Sequence, residues 1–253
     1  MVGFAHRRKD IKINEGGIIV DKKKIAKKVK CPIHRLKKKE ILWLFSNKCK
    51  HGHNYLEHYN CYLQEHPEID ERVGFLDIET SNLDANWGII LSYCIKPRGG
   101  AGILKGVITT EDIKKYPHDQ TDKRIVKDLI IDMMKFDRLV AHYGRKFDLP
   151  YIRTRALIMG LDFPHFGSIQ NDDTWCIAKR KLKLNSNRLD TIDRALNGES
   201  NKTHLKPKYW IAGARGDKKA LAYILDHNEK DVIALEDIWL KLNKFVSKTN
   251  CSI

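Results

Sequence analysis

The 253-residue sequence has no apolar run long enough to cross a bilayer. Its longest, Ile41–Phe45 and Gly88–Ile95, fall well short of the roughly 20 residues a spanning helix needs. The opening MVGFAHRRKD lacks the apolar stretch of a secretory signal. Acidic residues are in deficit, with 32 Asp and Glu against 47 Lys and Arg and a net charge of +15. A surplus of that size favours a polyanionic partner, nucleic acid ahead of an anionic membrane. Cysteine is sparse too. Six in the whole chain argue for reduced thiols or metal ligands rather than a disulfide framework. With 42% apolar residues there is ample material for a core, which argues against wholesale disorder. The expectation is a basic, globular, cytosolic protein with no membrane partner.

The charge is unevenly spread. Residues 1–70 carry 16 Lys or Arg against 8 acids, densest in KKKIAKKVKCPIHRLKKK at 22–39. Every cluster of zinc-type ligands also falls before residue 70. Both shifts predict a boundary near Pro67–Glu71, with a basic module over 1–70 and a second domain over 71–253. Beyond it, RVGFLDI (72–78), WGIILSYCIK (87–96) and GILKGVITT (102–110) read as strands. Asp122–Phe136 spaces Ile125, Leu129, Ile130 and Met133 as a helix. Arg138–His142 reads as a short strand, and Pro150 opens a helix that Gly160 closes. Leu189–Leu196 reads as helical, and Leu221, Leu225, Asn228, Val232, Leu235, Trp239 and Leu242 stripe one long final helix. Strands first, then helix–strand–helix alternation, imply an α/β sheet with helices on its faces.

The sharpest chemical signal is Asp77-Ile78-Glu79 at the end of the first of these strands. Side chains two apart on a strand share a face. Two carboxylates on one face of an apolar strand repel each other and resist burial unless a cation joins them. Hard oxygen ligands suit Mg²⁺ or Mn²⁺. Asp148 in FDLPYI stands where a strand gives way to a helix, a position that also suits a cap. His227 and Asp231, four apart, share a helix face beside the apolar stripe, at the expected edge of the core.

Together these fragments resemble a known family. DIET at 77–80, HYGRKFDLP at 142–150 and HNEKDV at 227–232 are similar, in order, to the three motifs of the DEDD exonuclease superfamily. KPKYW with HNEKDVIALEDIW is similar to its branch of predicted ribonuclease H-like exonucleases. The resemblance spans about residues 72–247. It implies a ribonuclease H-like mixed five-stranded sheet flanked by helices, and a 3′–5′ exonuclease with two Mg²⁺ or Mn²⁺ ions acting on a single-stranded end of DNA or RNA. It makes Asp77, Glu79, Asp148 and Asp231 the acidic metal ligands and His227 the group that orients or deprotonates the attacking water. The chain departs from the pattern twice. Asp226 stands where many relatives have the His five before the last Asp, and His227 where others have a Tyr. Tyr143 stands where many have Asn, which leaves open how the terminal nucleotide is held. A structure-selective endonuclease and a non-catalytic nucleic-acid-binding protein on a nuclease fold are the rival readings.

Residues 31–61 hold Cys31 and His34, then Cys49, His51 and His53, then His58 and Cys61. Cys-x₂-His is an ordinary half-site for zinc, and a second half-site some 15 residues on predicts a structural Zn²⁺. The leading set is Cys31, His34, Cys49 and Cys61, with His53 or His58 as substitutes. Leu36, Ile41, Leu44 and Phe45 would pack a short helix on it, since a metal can hold together a segment with a thin core. Its basic face, and Lys179–Arg188 in the second domain, offer phosphate contacts.

Overall fold

The computed structural model describes residues 11–14, 17–20, 36, 38–66, 71–198 and 205–245. The chain divides into two compact units, Met1–Glu71 with His165–Ser168, and Arg72–Pro164 with Ile169–Ile253. Among the described residues no helix is long and apolar enough to cross a membrane.

In the first unit, β1 (Ile11–Asn14) and β2 (Gly17–Val20) pair as an antiparallel hairpin, with Ile11 opposite Val20. Helices α1 (Lys38–Ser46) and α2 (Tyr59–Glu65) follow. Ile41 and Leu44, one helical turn apart, enter a small core with Leu56, Tyr59 and Leu63. Between the helices the chain doubles back. Cys49 N–H donates to the His53 carbonyl and Gly52 N–H to the Cys49 carbonyl. Gly52 adopts φ 78°, a conformation that side chains disfavour. Cys31, His34 and most of the basic run at 22–39 lie outside the described residues.

The second unit is built on five strands: β3 (Val73–Thr80), β4 (Ile90–Pro97), β5 (Leu104–Val107), β6 (Arg138–Ala141) and β7 (Gln170–Asp173). Their order is β5-β4-β3-β6-β7. β4 runs antiparallel to β3 and β5, whereas β6 runs parallel to β3 and β7. This is the mixed five-stranded sheet that the resemblance implied. Around it lie α3 (Thr110–Lys115), α4 (Lys123–Met133), α5 (Asp148–Ile158), α6 (Thr174–Lys181), α7 (Leu189–Asn197), α8 (Pro207–Ala214) and α9 (Lys218–Leu242).

Helices cover both faces. Leu76 and Ile78 of β3 pack with Ile125, Val126, Leu129 and Met133 of α4 and with Leu149, Ile152 and Ala156 of α5. Val73 and Phe75, on the opposite face, pack with Val232, Leu235 and Trp239 of α9, Ile177 of α6 and Ile192 of α7. β3 is therefore central and buried on both sides, which explains its nearly continuous apolar run. A side chain at Gly74 would put its Cβ 2.9 Å from both Ile95 and Phe136, so this packing requires glycine.

Two expectations are corrected. The helix expected from Pro150 begins at Asp148, and Pro150 takes its third position, where an N–H has no intrahelical partner to lose. His227 and Asp231 lie within the core rather than at its edge, each 5% exposed. β7, α3, α6 and α8 were not anticipated as separate elements.

Candidate functional site

The ladder between β3 and β6 runs only from Val73 to Phe75, whereas β3 stays paired with β4 as far as Thr80. Beyond Phe75 the β6 side of β3 has no strand partner among the described residues. This gap lies at the carboxyl ends of two parallel strands, where open α/β sheets form ligand crevices. Asp148 enters it. Its Oδ1 accepts from Ile78 N–H at 3.3 Å, replacing the missing ladder bond. Asp148 is thus the first residue of α5 and a buried acceptor, not a cap. Burial pushes its carboxyl up to about 7, against the pull of the Ile78 N–H and its own N–H, with the charges of Asp173 and Glu79 adding to the rise.

Alternation along β3 turns Asp77 and Glu79 toward the face covered by α9. Three residues of α9 meet them. His227 Nε2 lies 3.7 Å from Glu79 Oε1 and 3.6 Å from Asp231 Oδ2. Glu79, His227 and Asp231 each offer one ligand atom, all within 4.8 Å of one another, a spacing that could hold a metal ion. Asn228, fully buried, donates from Nδ2 to Asp77 Oδ2 at 2.7 Å. From α8, Trp210 donates its indole N–H to Glu79 Oε2 at 2.8 Å. Asp226 points elsewhere, in an exposed pair with Lys230 at 2.6 Å. The imidazole therefore comes from His227, at the four-residue spacing.

The β6–α5 connection passes beside these groups. A Cβ on Gly144 would lie 2.3 Å from Ala141 Cβ, so this packing requires glycine, and 3.7 Å from Asp148 Oδ2, which places the loop beside the carboxylate. Asp173 anchors the loop by accepting from Tyr143 N–H at 3.1 Å and Arg145 N–H at 3.2 Å. The same carboxylate caps α6 through Cys176 N–H. His142 is fixed between Thr174 Oγ1 at 2.9 Å and the Asn187 carbonyl at 3.0 Å.

Residues 74–243 match the RNase_H superfamily. The chain belongs to the RNase H superfamily. Among solved structures it is similar to the family B DNA polymerase from the hyperthermophilic archaeon Pyrobaculum calidifontis, at 18% identity and a TM-score of 0.58. That likeness covers 70% of this chain and 25% of the polymerase, and at this identity it speaks for the fold alone. No curated protein matches the sequence.

The RNase H superfamily match begins at residue 74, so a second ligand cluster in the first unit lies outside it. Cys49 Sγ is 3.8 Å from His51 Nδ1 and 3.7 Å from His58 Nδ1, and Cys61 Sγ is 3.4 and 3.6 Å from the same two atoms. All four donors lie within 4.8 Å of one another and could hold a metal ion. Zn–S of about 2.3 Å and Zn–N of about 2.0–2.1 Å give a tetrahedral S···N edge of about 3.6 Å, the value around which these four separations scatter. Burial raises the Cys61 thiol, and Cys49 beside it raises it further.

Of the residues singled out from the sequence, the fold gathers Glu79, His227 and Asp231 directly. It ties Asp77 to them through Asn228, and Asp148 through the Ile78 amide. In the first unit it gathers Cys49 and Cys61 with His51 and His58, while Cys31 and His34 lie outside the described residues. His53 stands outside that set, its ring 4.2 Å from that of His58. Sequence reasoning missed Asn228, which looked like part of the apolar stripe, and Asp173, for which no role was read. Trp210 entered the sequence reading within KPKYW, and its bond to Glu79 was not foreseen.

Proposed function

We propose that the protein is a divalent-cation-dependent nuclease that removes nucleotides from the 3′ end of a single strand. The observation that carries this reading is the convergence of Glu79, His227 and Asp231 at the carboxyl end of the central strand, with Asp77 and Asp148 beside them. The carboxylate oxygens form a donor set suited to Mg²⁺ or Mn²⁺. Several acids gathered in a largely buried site, one with its carboxyl driven up to about 7, fit a position completed by cations. Asp77, Glu79, Asp148 and Asp231 would hold two such ions. When bound, they supply charge stabilisation for the attacking and leaving oxygens and acidify the attacking water.

The chain's own residues do the rest. His227 Nε2 takes the proton as the water oxygen bonds to phosphorus and the bond to the 3′ oxygen breaks, since histidine titrates near neutral pH. Glu79 and Asp231 flank that imidazole, 3.7 and 3.6 Å from its Nε2, and keep it beside the site. Asn228 fixes Asp77 and Trp210 fixes Glu79, so neither carboxylate must reorganise during the reaction. The test uses a 5′-labelled single strand with Mg²⁺ or Mn²⁺. A ladder of shortening products supports the exonuclease. A discrete cut would assign a structure-selective endonuclease, and no cleavage a binding protein.

We also infer that Cys49, His51, His58 and Cys61 hold a structural Zn²⁺. Four protein ligands close the tetrahedron and leave no open position for chemistry. The basic module over 1–70 would then add phosphate contacts to those of the nuclease domain over 71–253. Metal analysis of the purified protein tests this reading, with one firmly held zinc as the expected result.

A further inference from the structure

Among the described residues Tyr143 is the one residue other than glycine with a positive φ, 65°. That conformation is strained for a bulky side chain and persists only where the surroundings impose it. They do so here. Asp173 grips the amides of Tyr143 and Arg145, and Gly144 is wedged against Ala141. The result is a ring held outward, 38% exposed, edge-on to Trp175 with centroids 5.1 Å apart and planes at 73°. Neither ring belongs to the hydrophobic cores of this unit.

Cations surround the pair. Lys146 Nζ lies 5.8 Å from each ring centroid and Lys179 Nζ lies 4.7 Å from that of Trp175. Arg180 and Lys181 continue the charge along the last turn of α6, both exposed. The ledge adjoins the acidic site, because the Gly144 position is 3.7 Å from Asp148 Oδ2. Aromatic surface, ammonium groups and proximity to the carboxylates match the parts of one ligand: a base, its flanking phosphates and the bond to be cut.

We propose that Tyr143 and Trp175 form a stacking ledge for an unpaired base, with Lys146 and Lys179 taking the adjacent phosphates. This rests on the nuclease reading only in supposing that the strand so held leads to Glu79, His227 and Asp231. Stacking uses the face of a base, which every base offers and a duplex keeps covered, so the ledge selects single strands without reading sequence.

The test is binding in EDTA, so that no cleavage intervenes. The probes are a short oligodeoxythymidylate, the same oligomer with single abasic positions, and a duplex of equal length. Removing one particular base should weaken wild-type binding roughly 5- to 150-fold, while abasic positions elsewhere change little. Tyr143→Leu and Trp175→Leu should lose a similar factor for the single strand, stop responding to the missing base and bind duplex as before. Trp175→Phe should recover most of the loss. Lys146→Gln and Lys179→Gln should each lower the logarithmic salt slope by about one. A scan with no sensitive position, or equal losses on duplex and single strand, overturns the proposal. The scan needs only wild-type protein, so it decides even where a variant fails to fold. A protein that stacks a base but cuts nothing keeps the ledge and loses the nuclease reading; one that cuts with no sensitive base does the reverse.

Discussion

The two ligand clusters are built in opposite ways. In the first unit, Cys49, His51, His58 and Cys61 come from one short stretch of chain, on a tight turn and the start of a two-turn helix. In the second, Asp77, Glu79, Asp148, His227 and Asp231 come from a strand and two helices far apart in sequence, held by two large apolar layers. A small core beside soft ligands makes the metal part of the fold. A large core beside hard ligands makes the fold a frame for the metal. Losing ions should therefore unfold the first site and merely disable the second.

The largest expected effect tests that contrast in the first unit. Cys61→Ser should release the zinc and unfold residues 38–66, because structural zinc sites contribute on the order of 10 kcal/mol to such small segments. Zinc content and loss of the near-ultraviolet signal of the Trp43–Tyr55 stack, whose planes lie 2° apart, would report it. A folded variant without zinc would erase the distinction. Next, Asp77→Asn and Asp231→Asn should each cut turnover by roughly a thousandfold or more. Their melting temperatures should hold or rise, since each removes like-charge repulsion. Activity near wild type in Mg²⁺ would remove these residues from the site.

A third prediction sharpens the contrast through pH. The Asp148 carboxyl, at about 7 in the folded chain against an ordinary 3.8, binds a proton that the unfolded chain releases. Its stabilisation of the metal-free protein is full below about pH 4 and is lost as pH rises through about 7. A divalent cation competes with that proton. Mg²⁺ or Mn²⁺ should thus raise the melting temperature more at about pH 8 than at about pH 5. An equal rise at both would count against Asp148 as a ligand. The smallest effect is expected at Trp210→Phe, which keeps the ring and loses the N–H to Glu79. Stability should fall by about 1 kcal/mol and metal affinity by about tenfold, read by denaturant titration and Mn²⁺ binding.

Much of the second unit was legible because its signals are periodic. The apolar run of β3 and the stripe of α9 announce their own burial. β7 was not legible. Its residues Gln170, Asn171, Asp172 and Asp173 are all polar and all buried. Asn171 donates to the Leu139 carbonyl, Asp172 pairs with Arg138 and Trp239, and Asp173 holds the Tyr143 loop. A strand whose burial is satisfied by hydrogen bonds leaves no apolar pattern to read. α6 was hidden in the same way, its exposed last turn of Lys179, Arg180 and Lys181 reading as a charge run. Asn228 passed for a stripe residue because burial and spacing look alike in sequence whether the partner is a leucine or a carboxylate.

Covalent spacing alone determined which neighbours share a face. Asp77 with Glu79 on a strand, and His227 with Asp231 on a helix, follow from periods of two and 3.6 residues. Tertiary structure decided which of these pairs meet. The early end of β6 left the gap that Asp148 fills, and the packing of α9 over β3 brought His227 to Glu79 and Asn228 to Asp77. The same holds for choosing His51 and His58 over His53, which turns on where a short turn and helix aim their side chains. Local sequence sets directions, and long-range packing sets distances, on which coordination and proton transfer depend.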